Sequence, residues 1–142
     1  AKIIVGNNFG RLIQKNIFKN FSHIFFVTSE KLIVTQKYSN KITCIQTNRR
    51  NGLQKLFKEL MLRGYTSILV EGGKSIISSF IKKGYFDELI VYTAPRILGS
   101  KGLKAMDNKA DKIIDTVTKV HSIENFGEDI KVTYINKKAN GI

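Results

Sequence analysis

Short apolar runs, bounded by polar and turn-forming residues, divide the first half of the chain. Five of them are rich in β-branched or aromatic residues, which is typical of strands. They span residues 2–5, 23–28, 32–35, 42–46 and 67–70. Residues 10–21 carry mixed signals, and we expect a loop with a short turn there.

Helical spacing appears twice. In the first helix, apolar residues recur at i, i+3, i+4, i+7 and i+8, which places them on one face; they are Leu53, Leu56, Phe57, Leu60 and Met61. Asn51 is suited to cap the start of this helix, and Gly64 to the left-handed position just past its end. The second helix is predicted from about residue 75 to residue 83. It would bury Ile76, Ile77, Phe80 and Ile81 and stop at Gly84.

The last third of the chain changes character. Residues 88–94 form the next predicted strand. Residues 116–123 and 130–135 then alternate apolar and polar positions, and residues 125–128 join them, which is typical of an antiparallel pair. The pattern predicts an α/β fold with a mixed sheet flanked by helices and with antiparallel C-terminal strands.

Composition is that of one globular domain, since 42% of the 142 residues are hydrophobic and 25% are charged. No run approaches the roughly 20 apolar residues of a membrane-spanning helix, and the first ten residues lack the layout of a signal peptide. The single cysteine, Cys44, fits a reducing cytoplasm, and we interpret it as a small core residue of a strand. We therefore expect a cytoplasmic protein with no membrane partner.

The net charge of +13 admits three interpretations: nucleic-acid binding, attraction of a small phosphorylated ligand, or basic residues dispersed over the surface. Only Arg49–Arg50 and Lys137–Lys138 form tight pairs. A nucleic-acid footprint is usually denser. The spacing therefore favours dispersed charge, and we do not expect a nucleic-acid partner.

The segment with the clearest chemical signal begins where the predicted strand at 67–70 ends. Gly72 and Gly73 follow, and a helix starts at once, with Lys74 and Ser75 in its first turn. Glycines let a ligand approach the backbone, and the N-terminus of a helix favours a phosphate. The spacing predicts a phosphate site, although a Gly-Gly pair before a helix is often only a tight turn.

Three further polar residues have two interpretations each. Glu71 could accept a hydrogen bond from a hydroxylated substrate, or it could pair with a lysine or with the helix N-terminus. His23 and His121 lie in predicted strands without a partner pattern, so we interpret them as structural or exposed residues. No spacing of Cys and His indicates a metal site.

Several of these motifs together resemble a known family. The chain has V-E-G-G at 70–73, F-D-E-L at 86–89, A-P-R-I-L-G at 94–99 and F-G-E-D at 126–129. In this order they resemble the reductase domain of bacterial riboflavin biosynthesis proteins. The opening K-I-I-V-G-N-N also resembles the family's R-V-V-L-D-S strand.

The resemblance implies a dihydrofolate-reductase-like fold. It also implies NADPH-dependent reduction of 5-amino-6-(5-phosphoribosylamino)uracil, a phosphorylated small molecule, to its ribityl form. Gly72, Gly73, Lys74, Ser75 and Ile76 would then hold the cofactor, and Glu71 would touch the substrate. Asn7 and Asn8, with Arg11, would lie near the adenosine end. The resemblance further implies a cis peptide bond between Gly72 and Gly73 and association into a homodimer through the late strands.

Two departures from the family pattern qualify these expectations. Gly6 stands where the family has an acid, and the family's opening strands, with S-L-D-G, G-x-x-T and D-D-P, are not found. We therefore expect residues 1–142 to be a single, partial reductase domain, with a deaminase domain ahead of it left open. The alternatives are another NADPH-dependent reductase acting on a pterin-like substrate, and a non-catalytic basic module for binding or dimerisation.

Overall fold

The computed structural model describes residues 1–7, 23–30, 41–47, 52–99 and 102–138. The chain divides into two compact units, Ala1–Ile68 and Leu69–Ile142. Each unit contains one three-stranded sheet among its described residues. The predictions for Asn51, for the strand at 32–35 and for the loop at 10–21 lie outside the described residues.

The first unit contains a parallel sheet with strand order β1-β2-β3. These strands are β1 (Lys2–Val5), β2 (Ile24–Thr28) and β3 (Ile42–Gln46), as the apolar runs predict. Every residue of the central strand β2 is buried, and β1 and β3 pair with its two edges.

Helix α1 (Gly52–Leu62) completes the core of this unit. Its buried Leu56 and Leu60 pack with residues of β2 and β3, namely Phe25, Val27 and Ile45. Met61 does not share that face, since 74% of its surface is exposed. Gly64 takes the predicted left-handed conformation, with φ of 79°, and its N–H donates to the carbonyl of Met61.

The predicted strand at 67–70 is not formed. Residues 65–73 have no regular secondary structure, and neither sheet of the described residues includes them. Leu69 is 82% exposed and Ile68 is 38% exposed. An apolar run becomes a strand only where a neighbouring strand pairs with it, and this segment has no such neighbour among the described strands.

The second unit contains an antiparallel sheet with strand order β4-β6-β5. Its elements are α2 (Lys74–Lys83), β4 (Glu88–Thr93), α3 (Asn108–Val117), β5 (Thr118–Phe126) and β6 (Asp129–Asn136). The predicted antiparallel pair is confirmed as β5 and β6, whose register joins Phe126 to Asp129 across a two-residue turn. Gly127 has φ of 64° in this turn, a value that favours glycine at the first central position.

Helix α3 was not predicted, and the proposed strand start at residue 116 is wrong because α3 continues to Val117. The sequence does carry its signal. Asp107 is a good N-cap, and apolar residues recur at i, i+3, i+4 and i+7 from Ala110: Ala110, Ile113, Ile114 and Val117.

The fold class is confirmed as α/β with parallel and antiparallel sheets. The described strands do not form the single mixed sheet that was predicted, since all parallel pairs lie in one sheet and all antiparallel pairs in the other. Within the described residues, no helix has both the length and the apolar character needed to cross a membrane.

Candidate functional site

The Gly72–Gly73 pair leads directly into α2. Its peptide bond is trans, because the described residues contain no cis bond, so the predicted cis bond is wrong. Trans is the lower-energy form for a bond that does not precede proline. Gly73 is the N-cap of α2 in an extended conformation (φ −76°, ψ 177°), so the chain enters the helix without a cis peptide bond.

The two glycines have different surroundings. A Cβ atom at position 72 would lie 3.1 Å from the Cβ of Ile76, so a side chain there would press against the first turn of α2. A Cβ at Gly73 would meet no atom within 4 Å among the described residues. Gly73 therefore borders open space, which is what close approach of a ligand to the backbone requires.

The N-terminus of α2 has no side-chain cap. The carbonyl oxygen of Gly73 accepts from the N–H of Ile76 at 3.1 Å and from that of Ile77 at 3.3 Å, but no side chain bonds the first amides. The first turn contains no acidic residue, and Lys74 and Ser75 are exposed. Open amides, a helix dipole and a lysine together favour an anion.

Glu71 is exposed beside this turn. The ion pairs of the described residues are Arg63–Glu59, Lys82–Asp107 and Lys131–Glu124, so Glu71 takes part in none of them. The interpretation of Glu71 as the partner of a lysine is therefore not supported in the described part of the chain. Its carboxylate is free to accept a hydrogen bond from a ligand.

Asp107 holds α2 against α3, and the sequence did not single it out. Its N–H donates to the Oγ of the fully buried Ser78 at 2.8 Å, and its Oδ2 accepts from Lys82 at 2.6 Å. Its Oδ1 caps α3 by accepting from the N–H groups of Lys109 and Ala110. The hydrogen bond from Lys82, followed by that from Ala110, lowers the pKa of Asp107.

The other end of α2 is fixed by Asn136 of β6. The helix ends at Gly84, as predicted, and this glycine takes the left-handed conformation with φ of 65°. The Nδ2 of Asn136, a residue only 2% exposed, donates to the carbonyl of Phe86 at 2.8 Å and to that of Gly84 at 3.3 Å. A buried amide with satisfied donors holds the loop after α2 in one conformation.

Asn7 lies in the first unit, just past β1. Its Oδ1 accepts from Thr28 Oγ1 at 3.1 Å, from Ser29 N–H at 3.2 Å and from Ser29 Oγ at 3.1 Å. Sequence reasoning did not find Thr28 and Ser29, since they are 21 and 22 residues away along the chain. Asn8 and Arg11 lie outside the described residues.

The contacts of His23 and the burial of Cys44 are those of structural residues. His23 Nε2 lies 2.9 Å from Thr43 Oγ1, and its ring meets that of Phe25 edge-on at 4.9 Å. Burial raises the pKa of the Cys44 thiol, which disfavours the nucleophilic thiolate. The described residues contain no group of His, Cys, Asp or Glu that could hold a metal ion.

Curated relatives share the sequence over most of this chain. The chain is 31% identical over 123 residues to the riboflavin biosynthesis protein RibD of Haemophilus influenzae, covering 85% of this chain and 33% of that protein. It is 36% identical over 88 residues to RibD of Aquifex aeolicus, covering 61% of this chain and 23% of that protein. The chain thus spans a third or less of the length of these relatives.

Solved structures share the fold. RibD of Acinetobacter baumannii matches with a TM-score of 0.75 at 17% identity, over 96% of this chain and 37% of that one. A Thermotoga maritima protein described as a diaminohydroxyphosphoribosylaminopyrimidine deaminase/5-amino-6-(5-phosphoribosylamino)uracil reductase matches with a TM-score of 0.71 at 19% identity, over 94% and 37% of the two chains. At these identities the likeness shows the fold alone.

The model of one protein family matches almost the whole chain. It is described as the RibD C-terminal domain, and it matches residues 2–132. This match confirms the resemblance found in the V-E-G-G, F-D-E-L and A-P-R-I-L-G motifs. The chain belongs to the RibD C-terminal domain family, a family of reductases.

Proposed function

We propose that this chain is an NADPH-binding reductase domain that acts in riboflavin biosynthesis. Its substrate would be 5-amino-6-(5-phosphoribosylamino)uracil, whose ribose is reduced to the ribityl chain. One observation carries the proposal: in a member of this reductase family, the exposed Gly72–Gly73 turn opens directly onto an uncapped helix N-terminus. We propose a dihydrofolate-reductase-like fold for the domain as part of the same assignment.

The residues of the turn fit a dinucleotide phosphate. Gly73 leaves open space, the amides of the first turn of α2 point out of an uncapped end, and Lys74 adds a positive charge. Gly72, Gly73, Lys74, Ser75 and Ile76 would hold the pyrophosphate, with Ile76 packed beneath Gly72. NADPH supplies a hydride when bound, and the chain's own role is to bind and orient the two ligands.

Glu71 would orient the substrate. It is exposed next to the turn, and no described residue engages its carboxylate. A carboxylate accepts hydrogen bonds from sugar hydroxyl groups, so it suits a ribose. This chain spans a third or less of the length of its RibD relatives. The activity of a whole enzyme of that length, including any deaminase step, is therefore only proposed for this protein.

A direct test is a titration with NADPH and with NADH, followed by cofactor fluorescence. We expect micromolar binding that prefers NADPH and that weakens about tenfold in Lys74→Ala, because one charge-assisted contact is lost. Lys112→Ala is the matched control, since Lys112 is an exposed lysine of the same unit in α3. Equal weakening by both variants would mean that only net charge matters, and no binding of NADPH would contradict the proposal.

The substrate role of Glu71 is tested separately. Glu71→Gln keeps the shape of the side chain and removes its charge. We expect the KM for the ribosylaminouracil to rise while NADPH affinity stays within twofold. An unchanged KM would remove Glu71 from the substrate site and leave the cofactor assignment intact.

We also propose that the protein forms a homodimer in the cytoplasm through its late strands. One face of the antiparallel sheet carries apolar residues from all three strands, and three of them are exposed. They are Val120 (53%), Ile123 (68%) and Ile130 (45%). An apolar sheet face of this kind is typical of an interface.

A further inference from the structure

A buried hydrogen bond at Ser78 attaches α2 to the start of α3. Ser78 lies in the middle of α2 and is 0% exposed, and its Oγ accepts from the N–H of Asp107 at 2.8 Å. Ala110 of α3 is also 0% exposed, and its N–H donates to Oδ1 of Asp107 at 2.9 Å. Asp107 therefore hydrogen-bonds to one fully buried residue of each helix.

Lys82 adds a second attachment to the same aspartate. Its Nζ donates to Oδ2 of Asp107 at 2.6 Å, and the two side chains are 35% and 34% exposed. Ser78 and Lys82 are four residues apart, so they lie on one face of α2, and this face is turned toward the start of α3. The two bonds together fix the position of α2 along its axis and its rotation about that axis.

The amino end of α2 depends on these attachments. In the described part of the chain, no ion pair or side-chain hydrogen bond ties this end to another element. Its residues are exposed: Gly72, Gly73, Lys74 and Ser75. The first amides of the helix are therefore placed by the rest of the helix.

A helix carries a shift at Ser78 to the glycine turn. Ser78 follows Gly73 by five residues, which is about 7.5 Å along a helix that rises about 1.5 Å per residue. Lys74 precedes Ser78 by four residues and lies on the same face of α2. The bonds of Asn136 lie beyond the other end of this helix. Loss of the contact at Ser78 would therefore move the first amides and Lys74 together.

We infer that Ser78 is a positioning residue for the cofactor turn, which acts through α2 and does not touch the ligand. A phosphate that accepts from the first amides of a helix needs donors at about 2.7–3.2 Å and in good alignment. A small displacement of α2 weakens several such bonds at once. This inference rests on the proposed function, because the site that Ser78 positions is the proposed cofactor turn.

The test compares the unaltered protein with Ser78→Ala, which removes the acceptor for Asp107. A fluorescence titration with NADPH gives the dissociation constant and the number of binding sites per chain. Calorimetry with inorganic pyrophosphate, which is small enough to contact the turn alone, gives a second dissociation constant. We expect both constants to rise about fivefold or more, while the number of NADPH sites stays the same.

A merely structural role gives a different result. If Ser78 only stabilises the fold, Ser78→Ala lowers the number of NADPH sites, because fewer chains are folded, and leaves the dissociation constants unchanged. Ser79→Ala is the matched control, since the Oγ of Ser79 donates to the carbonyl of Ser75 within α2. Unchanged dissociation constants in folded Ser78→Ala overturn the inference, as does an equal rise in Ser79→Ala.

A second variant decides the matter if Ser78→Ala does not fold. Lys82→Met removes the ion pair with Asp107 and keeps most of the apolar stem. We expect it to raise the dissociation constant for NADPH about two- to threefold, as for loss of a partly exposed ion pair. Lys83→Met is its control, because it removes the same charge and leaves the Lys82–Asp107 pair in place. Equal effects of the two lysine variants overturn the inference.

The same measurements separate this inference from the proposed function. Pyrophosphate binding that weakens in Ser78→Ala, without binding of NADPH, supports the positioning role at this turn and contradicts the cofactor assignment. NADPH binding that Ser78→Ala leaves unchanged does the reverse. If neither NADPH nor pyrophosphate binds the unaltered protein, both are overturned.

Discussion

The N–H of Asp107 donates to the Oγ of Ser78 at 2.8 Å, and this bond joins the helix of the candidate cofactor turn to the start of α3. Ser78 is 0% exposed, so its hydroxyl is fully removed from water. Because the acceptor is buried, loss of the bond costs more than an ordinary exposed hydrogen bond.

Ser78→Ala should lower the free energy of unfolding by about 1–3 kcal/mol, since the N–H of Asp107 loses its acceptor. Urea denaturation measures the change. Ser79→Ala is the control, because Ser79 Oγ donates only to the carbonyl of Ser75 in its own helix at 2.8 Å. Equal effects of the two variants would contradict a special role for the Ser78–Asp107 bond.

Stability in acid should depend on Asp107. Its pKa is lowered in the folded protein, chiefly by the hydrogen bond from Lys82, so the unfolded state binds the proton more readily. The stabilisation is present above the ordinary aspartate pKa of about 3.9 and is lost as pH falls through the lower pKa of the folded state.

Asp107→Asn tests this dependence, because asparagine can still cap α3 but cannot titrate. We expect urea denaturation between pH 2 and pH 7 to show a shallower loss of stability in acid for the variant. Glu124, whose pKa is lowered first by the hydrogen bond from Ser122 and then by that from Lys131, titrates in both proteins and contributes to the slope that remains. Identical slopes would show that the Lys82–Asp107 pair does not affect acid stability.

Alanine at the two glycines should separate folding from binding. Gly72→Ala should destabilise by about 1 kcal/mol, because its Cβ would lie 3.1 Å from that of Ile76. Gly73→Ala should change stability by less than about 0.5 kcal/mol, since the poorer cap is offset by a less flexible unfolded chain.

For NADPH binding, we expect Gly73→Ala to have a larger effect than Gly72→Ala. Gly73→Ala places a methyl group in the open space beside the first amides of α2, so NADPH affinity should fall by about tenfold, as expected for loss of one good backbone contact. Fluorescence titration measures this. Unchanged affinity in a folded Gly73→Ala protein would contradict a cofactor at this turn.

The proposed dimer is tested by a charge on the apolar sheet face. Ile123→Lys should weaken association by about tenfold or more, because an interface does not bury an unpaired lysine readily. Sedimentation at micromolar concentration measures the change. Phe126→Lys is the control: Phe126 is 62% exposed on the other face, where its ring meets that of Tyr92 at 5.3 Å. A monomeric unaltered protein, or equal effects, would contradict this interface.

The sequence pattern predicts a strand or helix well when the residues that mark it lie within the element or at its ends. β2 is recognisable because Ile24 to Val27 are all apolar, and α2 because Gly73 and Gly84 mark its ends. α3 was recognisable too, from Asp107 and the spacing that follows it. The signal for this helix is thus as local as the signals for β2 and α2.

Contacts between residues that are far apart in the sequence could not be predicted from local pattern. The apolar run at 67–70 has the composition of a strand, yet whether it becomes one depends on a neighbour that the run itself does not encode. The partners of Asn7 and Ser78 are likewise 21 or more residues away. Family motifs pointed to the glycine turn and to Asn7. They did not point to Asp107 and Asn136, which fix the helix after the turn, or to Thr28 and Ser29, which bond Asn7.

Asn136 has a consequence for the order in which the second unit can be assembled during synthesis. It follows the residues it binds, Gly84 and Phe86, by 52 and 50 positions. β6 is also the central strand to which both β4 and β5 pair. On the ribosome, α2 and its glycine turn are therefore made early, but the loop behind them and the whole antiparallel sheet stay without their partners until residue 136 has emerged.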